Sequence, residues 1–153
     1  MAIPQRTATA GTFFVTTIGY NRRRIFQIDH NAELFLETLK HYRPYYLLHA
    51  FVLMPDHVHL ILTPRDKTLS QIMNLIKGGF SHRLASKLPV WQRGFADHQI
   101  SSHEDFTIRQ NYLHQNPVTA RLAEIPQAYP YTSANTLIPL DPYERSPRRL
   151  PGA

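Results

Sequence analysis

The run Tyr46-Leu-Leu-His-Ala-Phe-Val-Leu-Met-Pro-Asp-His-Val-His-Leu-Ile-Leu-Thr63 decides the fold. Two short apolar segments, Tyr46–Met54 and His57–Thr63, flank Pro55-Asp56, and Pro64 bounds the second. Segments of this length broken by a turn signal read as adjacent antiparallel strands, not one helix. Upstream of this hairpin, Thr12–Thr17 is a further β-prone run, rich in aromatic and β-branched residues. Asn31 is expected to cap a helix carrying Phe35, Leu39 and Tyr42 at i, i+4 and i+7, ending near Arg43-Pro44. Downstream, Leu69–Leu88 reads as a long amphipathic helix with Leu69, Ile72, Met73, Ile76, Phe80 and Leu84 as its apolar stripe. Gly78-Gly79 within it signals a bend or a close backbone approach. Phe95–Ser101 is a fourth strand candidate. Ser102 with Asp105 resembles a capping box opening a helix from His103 to about Asn116, where Pro117 is expected to stop it.

The order β-α-β-β-α-β-α predicts an α+β fold. Its economical form is a ferredoxin-like (RRM-like) split β-α-β, an antiparallel sheet with helices on one face. Residues 1–125 are expected to form one domain. Residues 126–153 carry six of the twelve prolines and a basic end, and read as a surface wrap and partly disordered tail.

With 153 residues and 42% hydrophobic content, the chain can build one core without staples. The absence of cysteine excludes disulfides, thiolate metal sites, iron–sulfur clusters and a cysteine nucleophile. No apolar run approaches the ~18–20 residues of a membrane span, and Met1–Ala10 lacks a signal-peptide core. A cytoplasmic protein with no membrane partner is expected. The net charge of +6 and pI of 9.8 favour an anionic partner, most commonly a phosphate polymer. Nine histidines direct attention to metal or proton chemistry.

His57-Val58-His59 is the chemical centre of the sequence. Residues two apart on a strand share a face, so both imidazoles point one way while Val58 points into the opposite layer. Such a pair can converge on one metal ion, and a third ligand is then needed. His49, His98, His103 and His114 all remain open as that ligand. Tyr112 lies on the last helix in Asn111-Tyr112-Leu113-His114-Gln115-Asn116-Pro117-Val118, with Asn116 one turn on along the same face.

Met54-Pro55-Asp56-His57-Val58-His59-Leu60, followed by Tyr112-Leu113-His114-x-Asn116-Pro117-Val118, resembles the single-tyrosine HUH transposases, most of all the REP-associated tyrosine transposases. Supporting segments are Phe13-Phe14-Val15-Thr16, Ile76-Lys77-Gly78 and Trp91-Gln92-Arg93-Gly94-Phe95 with Asp97-His98, and the resemblance spans roughly Thr12 to Leu122. It implies an endonuclease and strand transferase for single-stranded or hairpin DNA of the REP type, acting through a covalent 5′-phosphotyrosine. By the same resemblance His57 and His59 are metal ligands, Tyr112 is the nucleophile and Asn116 completes the site, with Gln115 as its substitute. The implied cofactor is Mg²⁺ or Mn²⁺, with no organic cofactor, and the protein is a monomer or homodimer. A neutral ligand set suits Mn²⁺ at least as well as Mg²⁺.

Candidate DNA contacts are Arg22, Arg23, Arg24, Lys77, Arg83, Lys87, Arg93 and Arg109, with Arg148 and Arg149 in the tail. Three adjacent arginines repel one another unless an anion sits among them. Phe80 and Trp91 are candidate stacking surfaces for bases, Phe80 being the more core-like. Two other readings remain. One is a metal-dependent hydrolase using the histidine pair and a further histidine, with Tyr112 merely packed. The other is a domesticated, non-catalytic protein that binds hairpin DNA.

Overall fold

The computed structural model describes residues 10–144. Four strands, β1 (Phe13–Ile18), β2 (Tyr46–Leu53), β3 (His57–Pro64) and β4 (Ala96–Gln99), form one antiparallel sheet in the order β2-β3-β1-β4. Helix α1 (Asp29–His41) joins β1 to β2, and α2 (Leu69–Leu84) lies between β3 and β4. A last helix, α3 (His103–Thr119), follows β4. This is the split β-α-β arrangement expected from the sequence, with β1 and β3 side by side at the centre. None of the described helices is long and apolar enough to cross a membrane.

The helices do not share one face. Phe35 and Leu39 of α1 and Ile72, Met73, Ile76 and Phe80 of α2 pack with Phe13, Val15, Val58, Leu60 and Leu62. Helix α3 covers the opposite face, where its Phe106 and Leu113 meet Phe14, Ala50, Val52 and Ile61. The expectation of a single helical layer is thus corrected, and the cause lies in the sheet. Strand β2 bulges at His49, where its register on β3 shifts between Leu48 and Ala50. Beyond the bulge Phe51 and Leu53 face α1 and α2, while Ala50 and Val52 face the other way. Both faces are then apolar and each needs a cover.

Three element ends move. Helix α1 starts at Asp29, and Asn31 lies in its first turn, where its side-chain amide donates to the Ile25 carbonyl at 2.9 Å. Helix α2 ends at Leu84 because Ala85 turns left-handed (φ 51°). Helix α3 continues through Pro117 to Thr119. Pro117 lacks an N–H to bond back one turn, but the residue is buried near the helix end and packing holds it there. Gly79 answers the glycine signal in α2, since a Cβ there would come within 2.7 Å of the Tyr42 ring, whereas Gly78 faces open space.

The segment from Pro126 to Glu144 runs along the free edge of β2. The Leu53 N–H donates to the Tyr131 carbonyl at 2.9 Å, and Leu48 exchanges hydrogen bonds with Asp141 through N–H and C=O. It protects an otherwise open strand edge. The expected disorder, with Arg148 and Arg149, falls on residues 145–153, outside the described part of the chain.

Candidate active site

Cross-strand register builds the site. Thr16 stands opposite His59, and Ile18 opposite His57, so these four residues form a square on the α3 face of the two central strands. The two imidazole centroids are 4.8 Å apart with the rings near perpendicular. Each ring is oriented through Nδ1. His57 Nδ1 lies 2.7 Å from Asp56 Oδ1, and His59 Nδ1 lies 2.8 Å from Thr16 Oγ1. With Nδ1 so engaged, Nε2 of each ring is the nitrogen left to bind a metal, the orientation that outer hydrogen bonds impose on ligating histidines.

The electrostatics agree. Burial, with the charge of His57 as a lesser cause, pushes the His59 imidazole down to about 3, so it stays neutral with a lone pair to give. Burial opposes ionisation of Asp56. The hydrogen bond from His57 and the charges of His57 and Arg22 nevertheless hold its carboxyl below the ordinary range. Arg22 reaches Asp56 Oδ2 at 3.4 Å, so one loop arginine belongs to the rim of the site.

Helix α3 brings Tyr112 over this pair. Its ring centroid lies 5.8 Å from that of His59, and the side chain is 53% exposed. Phe14 fills the space between: it stacks on His59 at 5.1 Å, meets Tyr112 edge-on at 6.0 Å and underlies the Arg109 guanidinium at 5.8 Å. Arg109 is held beside Asp105 (3.6 Å), while its buried Nε has no hydrogen-bond partner. Ser101 donates its backbone N–H to Asp105, and that bond, more than the lesser one from His98, keeps this carboxyl below its ordinary range.

Asn116 lies one turn beyond Tyr112, and its buried Oδ1 has no hydrogen-bond partner, whereas Gln115 is exposed. A buried carbonyl oxygen left unpaired is costly unless something binds it. Two imidazoles with free Nε2 atoms and one amide oxygen are a donor set that a divalent ion accepts. The four other candidate histidines are engaged elsewhere. His49 bonds Thr63 and Asp141, His98 bonds Asp105, His114 bonds Ser133, and His103 stacks on Tyr143. Among the described residues no group of three His, Cys, Asp or Glu could hold a metal.

The expected cations divide into two sets. Arg22 and Arg109 border the histidine pair, and Arg93 is exposed beside a neighbouring cleft. Arg24 and Lys87 are exposed on their loops. Arg23 instead donates to Ser86 Oγ and the Pro89 carbonyl, and Lys77 to the carbonyls of Gln92 and Gly94. Arg83 lies over the Tyr42 ring, on the helical layer behind the sheet. Phe80 is fully buried with Phe26 and Phe35 in an aromatic cluster of the core and offers no face to a base, and the half-buried Trp91 packs against the same cluster. Asp56, Thr16 and Asp105 carry roles that the sequence reading did not assign. Asp56 had a signal, adjacency to His57, but it reads equally well as a turn residue.

A family model described as transposase, IS200-like, matches residues 12–116, which takes in both histidines, Tyr112 and Asn116. The chain belongs to the IS200-like transposase family. Its resemblance to REP-associated tyrosine transposases is borne out by relatives of this transposase. A Haemophilus influenzae protein assigned as a REP-associated tyrosine transposase is 26% identical over 141 residues, covering 80% of this chain and 79% of that protein. Among solved structures, a REP-associated tyrosine transposase bound to a REP hairpin matches with a TM-score of 0.71 and 24% identity, covering 95% of this chain and 93% of that one. A Deinococcus radiodurans protein assigned as a transposase matches with a TM-score of 0.50 and 17% identity, covering 75% and 98%. Both structural likenesses show that this transposase shares their fold.

Proposed function

We propose that the protein is a metal-dependent endonuclease and strand transferase for single-stranded or hairpin DNA, acting through a covalent 5′-phosphotyrosine. One observation carries the reading: a half-exposed tyrosine ring stands 5.8 Å from a buried, neutral histidine whose Nε2 is left free. A packed tyrosine serving only the core would be covered, as Tyr46 is. The family and the neighbour solved with a REP hairpin support hairpin DNA of that kind as the substrate.

His57, His59 and the Asn116 amide oxygen would hold Mg²⁺ or Mn²⁺. The bound ion would supply charge neutralisation at the scissile phosphate and polarise it. The chain's own groups do the rest. Asp56 and Thr16 fix the two imidazoles, and Arg109 offers a cation beside the phenol for a non-bridging phosphate oxygen. The phenol of Tyr112 loses its proton and its oxygen attacks phosphorus. The bond from phosphorus to O3′ breaks, and O3′ leaves with the electron pair and takes a proton. The phosphate ester is conserved on Tyr112, so the 3′-OH of another strand can attack it, restore a phosphodiester and free the phenol. No water is consumed.

The test is incubation of wild type and Tyr112→Phe with labelled stem-loop DNA and Mn²⁺, followed by SDS denaturation. A covalent band in wild type alone is the expected outcome. Cleavage of equal rate in Tyr112→Phe would replace this reading with a hydrolase. Tight DNA binding with no cleavage by wild type under any divalent metal would leave a binding protein.

A further inference from the structure

Beside the histidine pair the sheet has a gap. Strand β4 pairs with β1 only from Phe13 to Thr16, and the chain before it swings away until Trp91 bridges to Gly19. Between these two fastenings is a cleft of about 380 Å³, bounded by Thr16 and Ile18 of β1, Ala96 of β4, and Gln92, Arg93 and Phe95 of the loop. Its inner wall is thus the pair of residues that stand opposite His59 and His57. One strand spacing, about 4.8 Å, separates the cleft wall from the histidine strand. Thr16 belongs to both, since its hydroxyl bonds His59 Nδ1.

We infer that this cleft is a subsite for one unpaired nucleotide of the DNA strand, adjoining the phosphate that Tyr112 attacks. The inference rests on the reading of Tyr112, His57 and His59 as a DNA-cleaving centre, and deepens it by placing the strand. A phosphate held over the histidines leaves the next nucleotide within reach of the neighbouring strand. The cleft lies in the size range of small-ligand sites, and a single base can enter it where a base pair cannot. Its rim carries one exposed cation, Arg93, suited to the backbone, and the Gln92 side chain, whose amide can both donate to and accept from a base edge.

The cleft is built in advance. The Gln92 N–H donates to the Ile18 carbonyl at 2.8 Å. Lys77 donates to the carbonyls of Gln92 (3.1 Å) and Gly94 (2.5 Å), and Trp91 Nε1 donates back to the Lys77 carbonyl at 3.0 Å. Gly94, at φ 77°, makes the turn that a side chain would strain. A lysine whose charge is directed at loop carbonyls is thereby explained: it holds the outer wall of the subsite. The cost of ordering the loop on binding is met before DNA arrives.

The probe is a stem-loop oligonucleotide with unpaired flanks, each flank base replaced in turn by 2-aminopurine, titrated in EDTA so that no strand is cut. One flank position should change its fluorescence on binding wild type. Ala96→Trp, which fills the cleft, and Arg93→Ala, which leaves it open and removes the cation, should abolish and weaken that change respectively. In Mn²⁺, Ala96→Trp should cut the ordinary oligonucleotide at least about fivefold more slowly, the lower end of what one stacked base contributes. An abasic nucleotide at the responding position should restore its rate to the wild-type rate on that same oligonucleotide. An unchanged fluorescence response in both variants would overturn the subsite, even if wild type forms its covalent adduct. A response lost in the variants, with no adduct in wild type, would keep the subsite and overturn the catalytic reading.

Discussion

Strand β3 presents two unlike surfaces. Toward α1 and α2 it sends Val58, Leu60 and Leu62, all fully buried in a core cluster of twenty described residues. Toward α3 it sends His57, His59 and Ile61, beside a cluster of nine. The first surface is apolar throughout and closed. The second places a neutral buried imidazole under a half-exposed phenol, with hydrogen-bond partners chosen so that one nitrogen of each ring stays free. One alternating strand can therefore anchor the fold through its even-numbered residues and carry polar chemistry on its odd-numbered ones. Substitutions on the two sides should separate stability from activity.

The largest separation is expected at Tyr112. Tyr112→Phe should abolish the SDS-stable adduct while changing stability by no more than about 0.5 kcal/mol, as for other exposed positions. Loss of the adduct together with a lowered denaturation midpoint would mean that the phenol belongs to the packing after all. Leu60→Ala should behave in the opposite way. It should lower stability by about 2–5 kcal/mol in urea unfolding, through lost burial and a residual cavity. Its adduct yield per folded molecule should match wild type.

Asp56→Asn probes the edge of the polar surface, because Asp56 orients His57 through Nδ1 and also pairs with Arg22. The expected effect is a 10- to 100-fold loss, roughly, in metal affinity or activity, the usual consequence of removing an outer partner of a ligating histidine. Raising Mn²⁺ should recover part of the rate if the carboxylate acts on metal binding. A loss that Mn²⁺ does not relieve would instead point to Arg22, which shares that carboxylate.

How much of this was legible before the coordinates follows from which forces act locally. The hairpin, the split β-α-β order and the shared face of His57 and His59 depend on short-range periodicity and turn chemistry, and all are present in the structure. The side on which α3 packs is not local. It depends on a patch of Phe14, Ala50, Val52 and Ile61 that three paired strands build, with β2 phased by the bulge at His49, whose ring bonds Asp141, ninety-two residues away. The partition of cations was hidden for the same reason. Arg23 and Lys77 look like any other basic residues until the folded loops bring carbonyls to them. Pro117 misled because a penalty against helix is an average, and burial beside Leu113 outweighs it here.

The smallest predicted effect concerns proton linkage at His59. Its imidazole titrates at about 3 when folded, well below the ordinary histidine value of 6.5, because burial disfavours the charged ring. Below pH 6.5 the unfolded chain therefore takes up a proton that the folded chain refuses until about pH 3. Stability must fall as pH falls through that window, by about 1.4 kcal/mol per unit, or about 2 kcal/mol between pH 7 and pH 5 from this residue. His49 and His114 are also shifted down by burial and add to the trend. In urea unfolding with EDTA present, His59→Gln should lose about 2 kcal/mol less than wild type over the same interval. Equal losses in the two proteins would mean that His59 is protonated in the fold. It could not then offer Nε2 to a metal, and the polar face of β3 would need a different chemistry.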